Sequence, residues 1–183
     1  MIMQTSFYSE DELNELGLKS FGKNVLISRK CSIYSPEKIR IGDNVRIDDF
    51  CILSGDITLG SNIHISAYCA LYGAFGIELK DYSGMSPKSV IFSAVDDFSG
   101  DYLIGPIHDS KYTNVIGKNV VVNKFCQLGA NTIVMPGVVF EEGAVTGAMT
   151  FVNKNLDAWT INTGIPINKS RSRKNRVSVI FDK

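Results

Sequence analysis

The sequence predicts an all-β chain wound as a parallel β-helix, because large aliphatic residues recur with a period of six in two separate runs, each followed by a small or polar residue. In the first run Ile41, Ile47, Leu53, Leu59, Ile65, Leu71 and Ile77 share one phase, and Val45, Cys51, Ile57, Ile63, Cys69 and Phe75 fall four residues after the first six of them. In the second run Ile116, Val122, Leu128, Val134, Phe140, Thr146 and Val152 share a phase, with Val120, Cys126, Thr132, Val138, Ala144 and Thr150 as the second inward set. Helices repeat at about 3.6 residues and strands at about 2, so neither alone sustains this pattern. Each hexapeptide reads as one short strand and a corner. Three of them, eighteen residues, make one turn of a triangular prism whose inner face is buried only by stacking on the next turn.

The chain has 183 residues, enough for one sizeable core, and the continuous repeat argues for a single domain. The expected boundaries are an N-terminal cap over 1–24, coils over 25–95 and 115–152, a protruding loop over 96–114 and a C-terminal tail over 153–183. Nineteen basic residues balance nineteen acidic ones, so the charge points neither to nucleic acid nor to a membrane surface. No apolar stretch nears the roughly 18 residues of a membrane-spanning helix, and the N-terminus lacks a signal-peptide pattern. A soluble cytoplasmic protein is expected.

Taken in order, residues 5–17 read as a short helix: Ser9 caps it, Glu12 completes a capping box, Leu13 and Leu16 share a face, and Gly17 ends it. It closes the first coil, whose strand edge would otherwise be open. The coils start near Val25, with Ile27 and Ile33 inward, and enter strict register after the Pro36-Glu37-Lys38 corner. After Ile77 the phase slips by two before Met85 and Ile91 resume it. From Asp96 to Asn114 the repeat vanishes into charges, aromatics, glycines, a proline and His108. Long interruptions of a solenoid are commonly functional, and this content favours function. Coils run again from Ile116 to Val152, and Trp159 to Pro166 leads into a basic tail of Lys169, Arg171, Arg173 and Lys174.

The four cysteines match no zinc spacing. Cys51 and Cys69 lie one eighteen-residue turn apart and Cys31 lies twenty before Cys51, so they are expected to stack in one inward column with Cys126 further along, as small buried packing groups. His64 follows the inward Ile63 and is expected to point outward.

The segments Ile116-Gly-Lys-Asn, Leu128-Gly-Ala-Asn-Thr-Ile-Val-Met-Pro-Gly, Thr146-Gly-Ala-Met and Thr163-Gly-Ile-Pro resemble the acyl-CoA-dependent hexapeptide acyltransferases. That resemblance implies a left-handed β-helix, against the usual right-handed rule for parallel crossovers. It also implies a homotrimer with active sites between subunits, and a thioester arm lying along the outer edge of the C-terminal coils. Phe7-Tyr8-Ser9 with Glu12-Leu13, Gly22 to Ser28, Val45 to Gly55 and Asp96-Asp-Phe-Ser-Gly100 are similar to the branch acting on dTDP-linked 4-amino-4,6-dideoxyglucose, of the anthrose-pathway type. The activity so implied is transfer of an acyl group, acetyl in the first instance, from acetyl-CoA or another acyl-CoA to the amino group of a nucleotide sugar used in bacterial surface-glycan synthesis.

Aminolysis of a thioester needs a neutral amine, an acceptor for its proton, and donors for the developing oxyanion. Where O-acetyltransferases of this superfamily place a histidine at the loop root, this chain has Asp96, a poor base for a hydroxyl but suited to an ammonium. Ser86, in Gly84-Met85-Ser86-Pro87, is the second candidate catalytic residue, as a donor to the thioester oxygen. Asp97, Glu142 and His108 are candidate substrate-binding residues, Glu142 from a corner facing the neighbouring subunit's site. Arg46, Tyr68 and Tyr72 are outward candidates on the nucleotide side. Ala130, Gly147, Ala148, Gly164 and Pro166 are the expected path of the pantetheine arm, with Lys169, Arg171 and Arg173 for the CoA phosphates.

Two other readings compete: an O-acetyltransferase using His108 as base, and a catalytically silent β-helix scaffold. A β-helix carbonic anhydrase needs three histidine ligands and the chain has two histidines, so no metal is expected.

Overall fold

The computed structural model describes residues 6–181 and is a parallel β-helix of triangular cross-section. Short strands stack in parallel on three faces. The first face carries Ser20–Phe21, Ile39–Ile41, the later halves of Ile52–Leu59 and Ala70–Leu79, then Val120–Val122 and Val139–Phe140. The second carries Leu26–Ile27, Val45–Ile47, Ile63–Ile65, Gly84–Met85, Gln127–Leu128, Val145–Thr146 and Thr160–Gly164. The third carries Ser32–Tyr34, the earlier halves of Ile52–Leu59 and Ala70–Leu79, then Val90–Phe92, Ile133–Val134 and Phe151–Val152.

The six-residue register fills the prism as expected. Ile47, Leu53, Leu59, Ile65 and Leu71 of the first run, and Val122, Leu128, Val134, Phe140 and Val152 of the second, are buried. Each such aliphatic side chain contributes about 1.5–3 kcal/mol through burial. Corners are turned by left-handed residues, among them Phe50, Tyr68, Lys88, Asn131 and Met149 between the second and third faces.

Two register residues depart from the expected pattern. Phe75 is half exposed, because the two extra residues lie at the Phe75-Gly76 corner and not after Ile77: Ile57 pairs with Ile77 and Leu59 with Leu79. The periodicity hid this, since an insertion of two moves Ile77 from one inward position onto the other. Ile116 is also exposed. It belongs to an antiparallel ribbon, Ala94–Asp96 with Val115–Gly117, that carries the excursion out of the prism, and the coils resume at Val120. The Phe75 ring packs over the Gly117 backbone, where a Cβ would overlap it, so the inserted corner props the ribbon.

The N-terminal helix spans Glu10–Glu15, with the Ser9–Glu12 capping box formed and Leu13 buried. Thr5, at the start of the expected helix, lies outside the described residues. Cys31, Cys51 and Cys69 do share one column, at the entry to the third face, but Cys126 enters the second face, stacking between Ser83 and Ala144. Its equivalents in the cysteine column are Ser89, Thr132 and Thr150, since the amides of Ala70, Val90 and Ile133 donate to Ser89, Thr132 and Thr150 in turn. Burial pushes the Cys126 thiol up to about 12, so it is inert packing. Among the described residues no helix is long and apolar enough to cross a membrane.

Candidate active site

The edge between the second and third faces gathers Ser86 and the residues expected along the pantetheine arm. Residues directly after the second-face strands stack there in the order Ser28, Asp48, Ser66, Ser86, Gly129 and Gly147, followed by Thr163 within the strand Thr160–Gly164. Adjacent coils are about 4.8 Å apart, so Ser86 to Thr163 spans roughly 14 Å. Ala130, Ala148, Gly164 and Pro166 flank this edge. The two glycines are there because nothing larger fits: a Cβ on Gly129 would lie 2.5 Å from the Gly147 carbonyl carbon, and one on Gly147 would lie 2.6 Å from Thr163 Cγ2. The result is a bare backbone track that ends at the Ser86 hydroxyl. Asn131, Ile133, Met149, Phe151 and Ile165 form an apolar pocket beside it.

Ser86 is held from several directions. Its amide donates to the Leu128 carbonyl at 2.9 Å, its carbonyl accepts from the Cys69 thiol at 3.2 Å, and its Oγ accepts from Gln127 Nε2 at 3.2 Å. Sequence reasoning missed Gln127. Part of the signal was present: as the residue before inward Leu128 it must point outward, but only the strand pairing sets it beside Gly84 on the neighbouring coil.

Asp96 ends the ribbon strand Ala94–Asp96, opposite Val115, at the edge between the third and first faces. Its carboxylate is half-buried and makes no side-chain hydrogen bond or ion pair among the described residues. Asp97, one residue on, is committed: Oδ1 accepts from the Ser99 amide and Oδ2 from Asn114 Nδ2, each at 2.8 Å. The Ser99 backbone N–H, then the Ser99 hydroxyl and the Asn114 amide, hold its carboxyl below the usual range. Asp97 thus clamps the loop root, one bond to each carboxylate oxygen.

The remaining candidates scatter. Glu142 sits on the third edge, between the first and second faces, where its carbonyl accepts from the Trp159 amide, so it shares an edge with neither Ser86 nor Asp96. His108 is exposed in the outer loop, well along the chain from the ribbon that carries Asp96. Arg173 does not stand free for a phosphate: its Nη1 donates to the Phe125 and Gly143 carbonyls, each at 2.7 Å, and its guanidinium lies over Trp159. Those bonds strap the tail to the Glu142 edge. Lys169 and Arg171 lie on the exposed return strand Ile167–Ser172, Lys169 opposite Thr163 and therefore nearer the glycine track. Lys154 joins Lys169 in a polar pocket at that end of the prism.

His64 points outward as expected, and its Nε2 meets Asp48 Oδ2 at 2.7 Å, while Arg46 Nε donates to Asp48 Oδ1 at 2.7 Å. Burial pushes the Asp48 carboxyl up, but the bonds from His64 and Arg46 outweigh it and hold it low. Phe50 and Tyr68 stack at 5.0 Å on the same edge, with Lys30 over Phe50, and Tyr72 stacks on Phe92 on the third face. Among the described residues no cluster of potential metal ligands occurs.

No protein-family model matches the chain. A curated protein of Escherichia coli, dTDP-4-amino-4,6-dideoxy-D-glucose acyltransferase, is 38% identical over 174 residues, 92% of this chain and 91% of its own length. The crystal structure of AntD, an N-acyltransferase from Bacillus cereus in complex with dTDP and 3-hydroxybutyryl-CoA, is 48% identical, superposes with a TM-score of 0.95, and is covered over 96% of its chain by 98% of this one. Solved variants of AntD replace a serine, or an aspartate ten positions further on, and two of the serine variants hold dTDP-4-amino-4,6-dideoxyglucose and coenzyme A. A hexapeptide-repeat acetyltransferase from Vibrio cholerae, 18% identical with a TM-score of 0.63 over 91% of this chain and 79% of its own, shares the fold.

Proposed function

The chain belongs to the dTDP-4-amino-4,6-dideoxyglucose acyltransferases, and from that premise we propose which of its residues transfer the acyl group and how they are brought together. The reaction is acyl transfer from an acyl-CoA to the amino group of a dTDP-linked amino-dideoxy sugar. The observation that carries the site assignment is the bare track from Thr163 through Gly147 and Gly129 to Ser86. An extended pantetheine arm lies along it, with backbone groups in reach and the thioester delivered at Ser86.

Asp96 receives the substrate ammonium and takes a proton from it. The freed amine attacks the thioester carbon, the Ser86 hydroxyl hydrogen-bonds to the carbonyl oxygen as it becomes negative, and the tetrahedral intermediate collapses to the amide with loss of the CoA thiolate, which takes up the proton that the nitrogen gives up. The ten-residue spacing of Ser86 and Asp96 is that of the serine and aspartate replaced in AntD.

Within one prism these two residues bound opposite sides of the third face, so a shared site calls for two copies. The third face supports such a pairing, because Ile52, Ala70, Val90, Ile133 and Phe151 point outward along it, where the first face presents Arg40, Thr58 and Glu78. Three prisms packed with their third faces inward bring the Ser86 edge of each against the Asp96 edge of the next. This is a homotrimer with three sites between subunits, acting in the cytoplasm on precursors of a surface glycan. Lys169 is the cation best placed for the CoA phosphates.

Free-thiol release with acetyl-CoA and with 3-hydroxybutyryl-CoA, against dTDP-4-amino-4,6-dideoxyglucose, its 3-amino isomer and a simple galactoside, tests the reading. Turnover is expected on an amino sugar alone, and Asp96→Ala should lower kcat by about 10²–10⁴. Release with only the galactoside, or an Asp96→Ala enzyme within a few-fold of the parent, would overturn it.

A further inference from the structure

We propose that Gln127 is a positioning residue for acyl transfer, fixing the direction of the Ser86 hydroxyl so that its proton is the one offered to the thioester oxygen. The inference rests on the acyl-transfer reading of Ser86 given above.

A serine hydroxyl has one proton and two lone pairs, and by itself it rotates among several partners. Here Gln127 Nε2 donates to Ser86 Oγ at 3.2 Å and to the Leu128 carbonyl, also at 3.2 Å. The carbonyl can only accept, so the nitrogen of the amide must face this side. Ser86 Oγ is then an acceptor in that bond, and among the described residues its own proton goes to no protein group. Gly84 leaves room for the oxygen of the amide: a Cβ there would lie 2.8 Å from Gln127 Oε1 and 2.9 Å from the His64 carbonyl oxygen. Only glycine leaves the amide its room. The Ser86 backbone cannot swing to spoil the arrangement, being tied by its amide to Leu128 and by its carbonyl to the Cys69 thiol. A donor already aimed at the place where charge develops needs no reorganisation during reaction, which is the main source of oxyanion stabilisation.

The test is a double-mutant cycle on the full chain, read as kcat and KM separately. Gln127→Met keeps the length of the side chain and removes the donor, and should lower kcat about tenfold, the effect of one misdirected hydrogen bond, with KM for acyl-CoA within about twofold. Gln127→Glu reverses the bond, since a carboxylate accepts the Ser86 proton, and should cost as much as Ser86→Ala. In the Ser86→Ala background Gln127→Met should cost nothing more. Gln127 is exposed, and unchanged melting of its variants separates positioning from folding. If Ser86→Ala lowers kcat while Gln127→Met leaves it within twofold, or if the two losses multiply, the positioning role fails and the acyl-transfer reading stands. If Ser86→Ala is itself silent, the role of Ser86 falls and this inference with it.

Discussion

The Ser86 edge has two halves built on one plan with different parts. In the N-terminal half the edge positions carry side chains, Ser28, Asp48, Ser66 and Ser86, and the inner column beside them holds three thiols. Cys31, Cys51 and Cys69 donate to the carbonyls of Asp48, Ser66 and Ser86 at 3.1, 3.1 and 3.2 Å. In the C-terminal half the edge positions are Gly129 and Gly147, and the inner column turns to hydroxyls. Ser89 donates to the Gly129 carbonyl at 2.9 Å, Thr132 to the Gly147 carbonyl at 3.4 Å, and Thr146 Oγ1 accepts from the Gly129 amide at 2.9 Å. Where the edge is stripped along the proposed cofactor track, the backbone loses side chains that could steady it. Stronger inward bonds from hydroxyls hold it instead, and the proposed reacting position, Ser86, sits at the boundary of the two halves.

The largest expected effect breaks the bare half. Gly129→Ala sets a Cβ against the backbone of Gly147 and Thr146, at 2.5–2.6 Å from three of its atoms, so the coils must part. It should cost about 1–3 kcal/mol in denaturant unfolding and raise KM for acyl-CoA markedly. Ser66→Ala, at the corresponding position of the other half, should stay within about 0.5 kcal/mol. Equal effects at both positions would mean that the halves are not distinguished by backbone approach.

Next in size are the inward polar groups behind the edge. Thr146→Val keeps the volume but strips the acceptor from the Gly129 amide and the partner from Thr132 Oγ1, which lies 2.9 Å away. Leaving buried polar groups unpaired costs about 1–3 kcal/mol. Cys51→Ala should cost less, since the thiol bond it removes is the weaker one. Chemical denaturation of the two variants settles the order, and a larger loss at Cys51 would reverse the comparison.

The fold was legible because a period of six has one physical meaning, and it named the buried residues of both runs. It misled at Phe75 and Ile116, where an insertion of two and an antiparallel strand each happen to keep the count. Periodicity also could not assign Cys126, since residues six apart alternate among three faces and only strand pairing says which. The glycine track was readable through the small residues after late aliphatics. That Glu142 and Arg173 face a different edge was not, because charge at a corner carries no information about which corner. Gln127 escaped because a lone outward glutamine looks like any solvated residue until the coil beside it supplies Gly84 and Ser86.

The smallest effect separates the halves by acid. Apart from Asp97 in the loop, the depressed carboxyls lie at the N-terminal end: Glu12 of the cap helix, which the Arg29 guanidinium and the Ser9 amide hold at about 2, Asp49 beside Ser28 and Lys30, and Asp48 beside His64 and Arg46. A group whose folded pKa lies below its unfolded value adds stability that is complete above the unfolded pKa and is lost as pH falls through the folded one. For Glu12 that window runs from its ordinary 4.5 down to about 2. Because coils are stabilised by their neighbours, acid should loosen the helix cap and first coils before the hydroxyl-pinned coils around Gly129 and Gly147. Hydrogen exchange between pH 5 and about 3 should therefore show amides of residues 20–34 losing protection while those of 120–152 keep theirs. Glu12→Gln should flatten the pH dependence at the N-terminal end alone. Uniform loss of protection along the prism would mean that the two halves unfold as one unit and that their different construction serves chemistry only.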